Sequence, residues 1–123
     1  MNLNEKAKKT VQKLLKLTRD DQVTWNRSTE TRHITTGTED SVRVAYTTRY
    51  ESLRFRVYEA RFQVSPDGES VFWSSEPRVE IIDFDEILIW RLPMTTEMWD
   101  LLQTIEVKSA GIDMKLDEFL NEE

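Results

Sequence analysis

At 123 residues the chain is long enough to bury one hydrophobic core and too short for two. Its composition is polar, with 38% apolar and 33% charged residues, yet twelve aromatics, four of them Trp, are too many for a disordered chain. The absence of cysteine excludes a disulfide framework, a thiolate metal site and a Cys nucleophile, and the net charge of −6 is unevenly spread.

Residues 3–18 place Leu3, Ala7, Val11, Leu14, Leu15 and Thr18 on one helical stripe, with Lys6, Lys9, Lys13 and Lys16 opposite. Asn2 suits the N-cap, Glu5 completes a capping-box-like start, and Asp20 and Asp21 oppose the dipole beyond Arg19. Gln22 to Arg27 alternates around Val23 and Trp25 and reads as a short strand, after which the Thr-rich stretch 28–40 reads as a mobile loop. Val42, Val44, Tyr46, Thr48 and Tyr50 then alternate with Ser41, Arg43, Ala45, Thr47 and Arg49, the pattern of a strand with one wet face.

A tight connection at Glu51-Ser52 leads into Leu53, Phe55 and Val57, after which the apolar parity switches to Ala60, Phe62 and Val64. A bulge or break near Tyr58 to Ala60 would account for that switch. Ser65-Pro66-Asp67-Gly68 forms a turn signal closing a hairpin onto Val71 to Trp73. Val79–Ile82 and Ile87–Leu92 flank the acidic turn Asp83-Phe84-Asp85-Glu86, and Pro93 ends the sheet. Thr95 can cap a helix with the stripe Met98, Leu101, Leu102 and Ile105 and a Met94/Trp99 staple. Gly111 suits its end, and Asp113 a cap for a short final helix carrying Leu116, Phe119 and Leu120. These elements predict a single α+β domain over residues 1–123, an N-terminal helix, an antiparallel meander of about five strands and two C-terminal helices. The apolar face of the sheet is the simplest cover for the helices at both ends.

Four stretches, LLKLTRDDQVTW (Leu14–Trp25), YESLRFRVY (Tyr50–Tyr58), VEIIDFDEILIWRLP (Val79–Pro93) and GIDMKLDEFL (Gly111–Leu120), carry a family likeness. In them the chain resembles a loose group of small, uncharacterised prokaryotic proteins often associated with mobile elements. The resemblance covers about half the chain and implies a compact α+β fold in a bacterium or phage, with no established activity and no site residue.

No stretch carries a catalytic or metal-binding signature. His33 is the only histidine, set among Thr, Arg and Glu in the loop, so a metal or Ser/His site has no second imidazole or thiol to build on, and it reads as an exposed loop residue. Asp83, Asp85 and Glu86 lack the spacing of a calcium loop and read as a charged hairpin turn. With only Gly37, Gly68 and Gly111 there is no glycine-rich phosphate loop, and no cofactor is expected.

Residues 1–64 hold 13 Lys/Arg against 8 Asp/Glu and residues 65–123 hold 4 against 15, so the halves carry +5 and −11. That split either pairs off within the fold or a homodimer, or marks surfaces for charged partners. The alternation puts Arg43, Arg49, Arg54 and Arg56 on the solvent side of two paired strands. There they form either a basic face that tracks phosphates, or a structural surface that discourages strand pairing and bridges to Glu across strands. Asp113, Asp117, Glu118, Glu122 and Glu123 lie at helical spacing opposite Leu116, Phe119 and Leu120. The leading expectation is a non-enzymatic interaction or regulatory protein that binds another protein, with these arginines and the acidic helix as contact surfaces and a homodimer as one form. The alternatives are a nucleic-acid binder using the basic N-terminal half and an enzyme with a carboxylate site in a sheet cleft. The N-terminus lacks the apolar stretch of a signal peptide and no run reaches the ~18 apolar residues of a membrane span, so a cytoplasmic location without membrane contact is expected.

Overall fold

A computed structural model describes residues 1–121; Glu122 and Glu123 of the acidic tail lie outside the described residues. The elements run α1 (Leu3–Arg19), β1 (Asn26–Ser28), α2 (Arg32–Thr35), β2 (Ala45–Tyr50), β3 (Leu53–Val64), β4 (Phe72–Ile82), β5 (Leu88–Arg91), α3 (Glu97–Ala110) and α4 (Ile112–Leu120). The strands form one antiparallel sheet in the order β1-β2-β3-β4-β5, so every neighbour in sequence is a neighbour in space. The α+β class follows directly: an N-terminal helix, a five-stranded meander and C-terminal helices.

Local chemistry sets the boundaries. Asn2 Oδ1 accepts the Glu5 backbone N–H at 2.9 Å and starts α1. The stripe Ala7, Val11, Leu14, Leu15 and Thr18 is buried against the sheet and α3. Trp25 is anchored by its indole N–H, which donates to the Thr18 hydroxyl at 3.0 Å. The strand expected over Gln22 to Arg27 begins only at Asn26, which pairs with Thr47. Both hairpin turns form. Gly68 N–H reaches the Ser65 carbonyl at 3.2 Å, with Gly68 at φ 76°. Asp83 Oδ1 accepts from the N–H groups of Asp85 and Ile87, each at 2.9 Å.

One face of the sheet, bearing Tyr46, Phe55, Val57, Val79 and Leu92, packs on α1 and on the α3 stripe Met98, Leu101, Leu102 and Ile105. The other face is also covered. Tyr58, Ala60 and Ala45 are buried beneath Val42 and half-buried Ile34, which lie on the segment leading into β2. This second cover corrects two expectations. There is no bulge at Tyr58 to Ala60, since β3 keeps register with β4 from Arg54 to Val64; the apolar parity switches there because the second core takes over. The only shift in this sheet's paired strands lies between Ile81 and Ile82 opposite β5. Nor does β2 have one wet face, since Ala45 is buried on its other side. The stretch expected as a loop over residues 28–40 carries α2, and the Thr31 hydroxyl ties it down by donating to the Val42 carbonyl at 2.6 Å.

The C-terminal helices depart from expectation at their caps. Thr95 does not cap α3: the helix begins at Glu97 behind Thr96, without a side-chain cap, and the Thr95 hydroxyl is buried without a partner among the described residues. Met94 and Trp99 both stay exposed. Gly111, at φ 61°, ends α3 in the left-handed region and at the same time precedes the first residue of α4, a position that leaves Asp113 inside the first turn. Instead of docking on the sheet, α4 buries none of its residues and meets the body chiefly at α3.

Candidate functional site

The four arginines expected on one wet face are dispersed by the second core. Arg56 is only 4% exposed: its Nε donates to Glu80 Oε1 at 2.9 Å, its second terminal nitrogen lies 2.9 Å from the same oxygen, and Nη1 donates to the Glu86 carbonyl at 2.9 Å. Arg54 donates from Nη1 to the carbonyls of Asp83 and Phe84, clamping the β4–β5 turn. Arg49 lies over the Phe84 ring at 5.7 Å, and Arg43 is exposed on the approach to β2. The first two arginines are thus committed to the acidic hairpin, and the four do not form one continuous basic face.

The cross-strand bridging of Arg to Glu expected of these arginines occurs at Arg56, but in a buried polar centre between β3, β4 and β5 rather than on a solvent face. Opposed positions bring Arg56, Glu80 and Arg91 into one cross-strand row. Glu80, 1% exposed, accepts from Arg56 on Oε1, and on Oε2 from the Tyr58 hydroxyl at 3.0 Å and Arg91 Nε at 2.9 Å. Burial, and then the charge of Glu80, raise the Tyr58 phenol above its ordinary ionisation range. With both oxygens engaged by charged or hydroxyl donors, Glu80 has no lone pair aimed at a substrate, which argues for a structural pair and against a general base. The sequence signal for it was the single charge within Val79–Ile82, an apolar run buried on both faces.

His33 lies on α2, and its Nε2 is 4.0 Å from Glu86 Oε2 at the mouth of a cavity of about 220 Å³ floored by Arg56 and Glu80. The histidine and the acidic turn, read separately in the sequence, therefore meet in space. Neither Ser, Thr nor a second imidazole lines that cavity, so His33 has no hydroxyl there to activate. Among the described residues no group of three or more His, Asp or Glu converges so as to hold a metal ion, and no helix is long and apolar enough to cross a membrane.

The acidic helix is the surface that the fold leaves unpartnered. Asp113, Asp117 and Glu118 are exposed and make no ion pair among the described residues. Ile112, Leu116, Phe119 and Leu120, at i, i+4, i+7 and i+8, form a stripe that is 37%, 53%, 70% and 67% exposed. No family model matches the chain and neither a curated protein nor a solved structure does, so the likeness drawn from the sequence rests on its four stretches alone.

Proposed function

We propose that this protein is a non-enzymatic interaction module that binds another protein through α4. The observation that carries the reading is the exposed stripe Ile112, Leu116, Phe119 and Leu120. Nine residues of helix are marginal in water without tertiary packing, and α4 buries none of its residues and packs chiefly where it leaves α3. Seating the stripe in an apolar groove supplies that packing, at about 1.5–3 kcal/mol for each large side chain fully buried. Asp113, Asp117 and Glu118 flank the stripe and favour a groove with a basic rim. A second copy of the chain is one form the partner takes. Dispersal of the arginines is the observation that ranks nucleic acid below protein.

The test compares the wild-type chain with Leu116→Asp/Phe119→Asp, each tagged and used for capture from native cells in low and high salt, with the mass in solution measured by light scattering. The expected result is a stoichiometric partner, or a dimer, that persists in high salt and disappears in the variant while the thermal midpoint is unchanged. Captured proteins and solution mass that are identical for both chains would overturn the proposal.

A further inference from the structure

Where α3 crosses the far half of β3, the helix-facing row of the strand changes character: Phe55 and Val57 fill the core, but the next two positions on that side are Glu59 and Arg61. Glu59 is half-buried opposite Pro77, and Glu106 approaches from α3, one turn beyond the buried Leu102. Arg43 joins them from the approach to β2. All four line a cavity of about 230 Å³ walled by Val44, Tyr46 and Leu102, and Glu59, Leu102 and Glu106 continue into a neighbouring cavity of about 250 Å³.

None of these four charges has an ion-pair partner within 4.0 Å among the described residues; Arg61 makes a side-chain contact with the Trp73 ring, at 5.7 Å. Burial, and then the charge of Glu59, push the Glu106 carboxyl above its ordinary value of 4.5, and Glu106 holds its place on the exposed rim of the cleft beside half-buried Glu59. A simple cation drawn to the carboxylates meets two guanidinium groups, and a simple anion drawn to the arginines meets two carboxylates. A molecule carrying both charges satisfies all four, and the volume, below the usual range of about 300–1,000 Å³ for drug-sized ligands, limits it to a small one.

We infer that the cleft between α3 and β3 binds a small zwitterion of the free α-amino acid class, with its ammonium between Glu59 and Glu106 and its carboxylate taken by Arg43 and Arg61. The site is independent of α4.

The experiment titrates the full-length, nitrogen-15-labelled chain with glycine, L-leucine, L-arginine and L-glutamate to about 10 mM, the weak end of measurable affinity, and reads amide shifts. At least one amino acid is expected to shift the amides around 59, 61, 102 and 106. Its N-acetyl and carboxamide derivatives, and the variants Glu59→Gln and Arg61→Gln, should each weaken binding about tenfold or more, the loss of one charge-assisted contact. Glu59→Gln relieves like-charge repulsion and keeps the fold, so a negative result cannot be ascribed to unfolding. No shift with any of the four amino acids, or shifts unchanged by N-acetylation or by Glu59→Gln, would overturn the inference.

Discussion

Glu80 joins three strands through one carboxylate, and its removal tests the second core directly. Glu80→Ala leaves Arg56 charged and buried with no carboxylate, and the Tyr58 hydroxyl and Arg91 Nε without their acceptor. Breaking a buried pair by removing one partner costs about 3–5 kcal/mol, and urea unfolding should show a loss of that size. A loss under about 1 kcal/mol would mean that water reaches the pair. Tyr58 gives the same network a pH signature. Below its ordinary value of 10.0 the phenol is protonated in folded and unfolded chains alike, so its stabilisation is whole. As pH rises past 10 the unfolded chain loses the proton first, and stability falls until the native phenol, raised by burial, also ionises. Tyr58→Phe should flatten that alkaline limb, as read from unfolding midpoints between neutral pH and pH 11, at the expense of about 1 kcal/mol at neutral pH for the lost hydrogen bond. Arg56 shows why such residues escape a reading of sequence. Alternation reports which side of a strand a residue faces, and a charged residue facing a second, partly polar core carries the same period-two signature as one facing water.

Short-range chemistry made most elements legible. The α1 stripe, the Ser65–Gly68 turn, the acidic hairpin and the Gly111 stop all depend on side chains within a few residues of one another. What was not legible depends on distant partners: the parity change at Tyr58 to Ala60 resembles a bulge until Val42 and Ile34 are seen to cover that side. The first turn of α3, similarly, forms without help from the Thr95 side chain, through the Met98 N–H and Thr95 carbonyl at 3.1 Å. The α3–α4 junction lends itself to a prediction about direction. Gly111 has no atom near the position its Cβ would take, so Gly111→Ala adds no clash, only the strain of φ 61° for an L residue. That strain is about 1 kcal/mol. It can be relieved by letting α4 fray, because none of the residues of α4 is buried. The global thermal midpoint should therefore move little, while amide exchange over residues 112–120 rises several-fold. A drop of the midpoint by several degrees, with exchange in α4 unchanged, would show that α4 is integral to the cooperative unit.

Across the whole molecule, the charge segregation of the two halves is met only in part by pairs that cross between them. Arg56 of the basic half meets Glu80 of the acidic half and Arg54 reaches the carbonyls of the acidic turn, whereas Lys108 of the acidic half meets Asp21 of the basic half at 3.0 Å. Arg78, also of the acidic half, meets Asp40 of the basic half and Glu76 of its own: burial opposes its charge, but Asp40 at 2.8 Å and Glu76 at 3.0 Å more than compensate and hold it above its ordinary value. A fold held by such pairs at the surface would weaken sharply with salt, since the screening length falls from about 10 Å at 0.1 M to about 3 Å at 1 M. Here the pairs that matter are buried or half-buried, whereas Lys108–Asp21 is exposed and worth no more than about 1 kcal/mol. The unpaired excess of negative charge is relieved by salt in the opposite sense. Unfolding free energy should therefore change by less than about 1 kcal/mol between 0.1 M and 1 M sodium chloride, as measured by urea titration at each salt. A loss of several kcal/mol would put the stability in the exposed pairs. It would also remove the basis for reading salt-resistant capture through α4 as an apolar interface, because the fold that presents the helix would itself be failing in high salt.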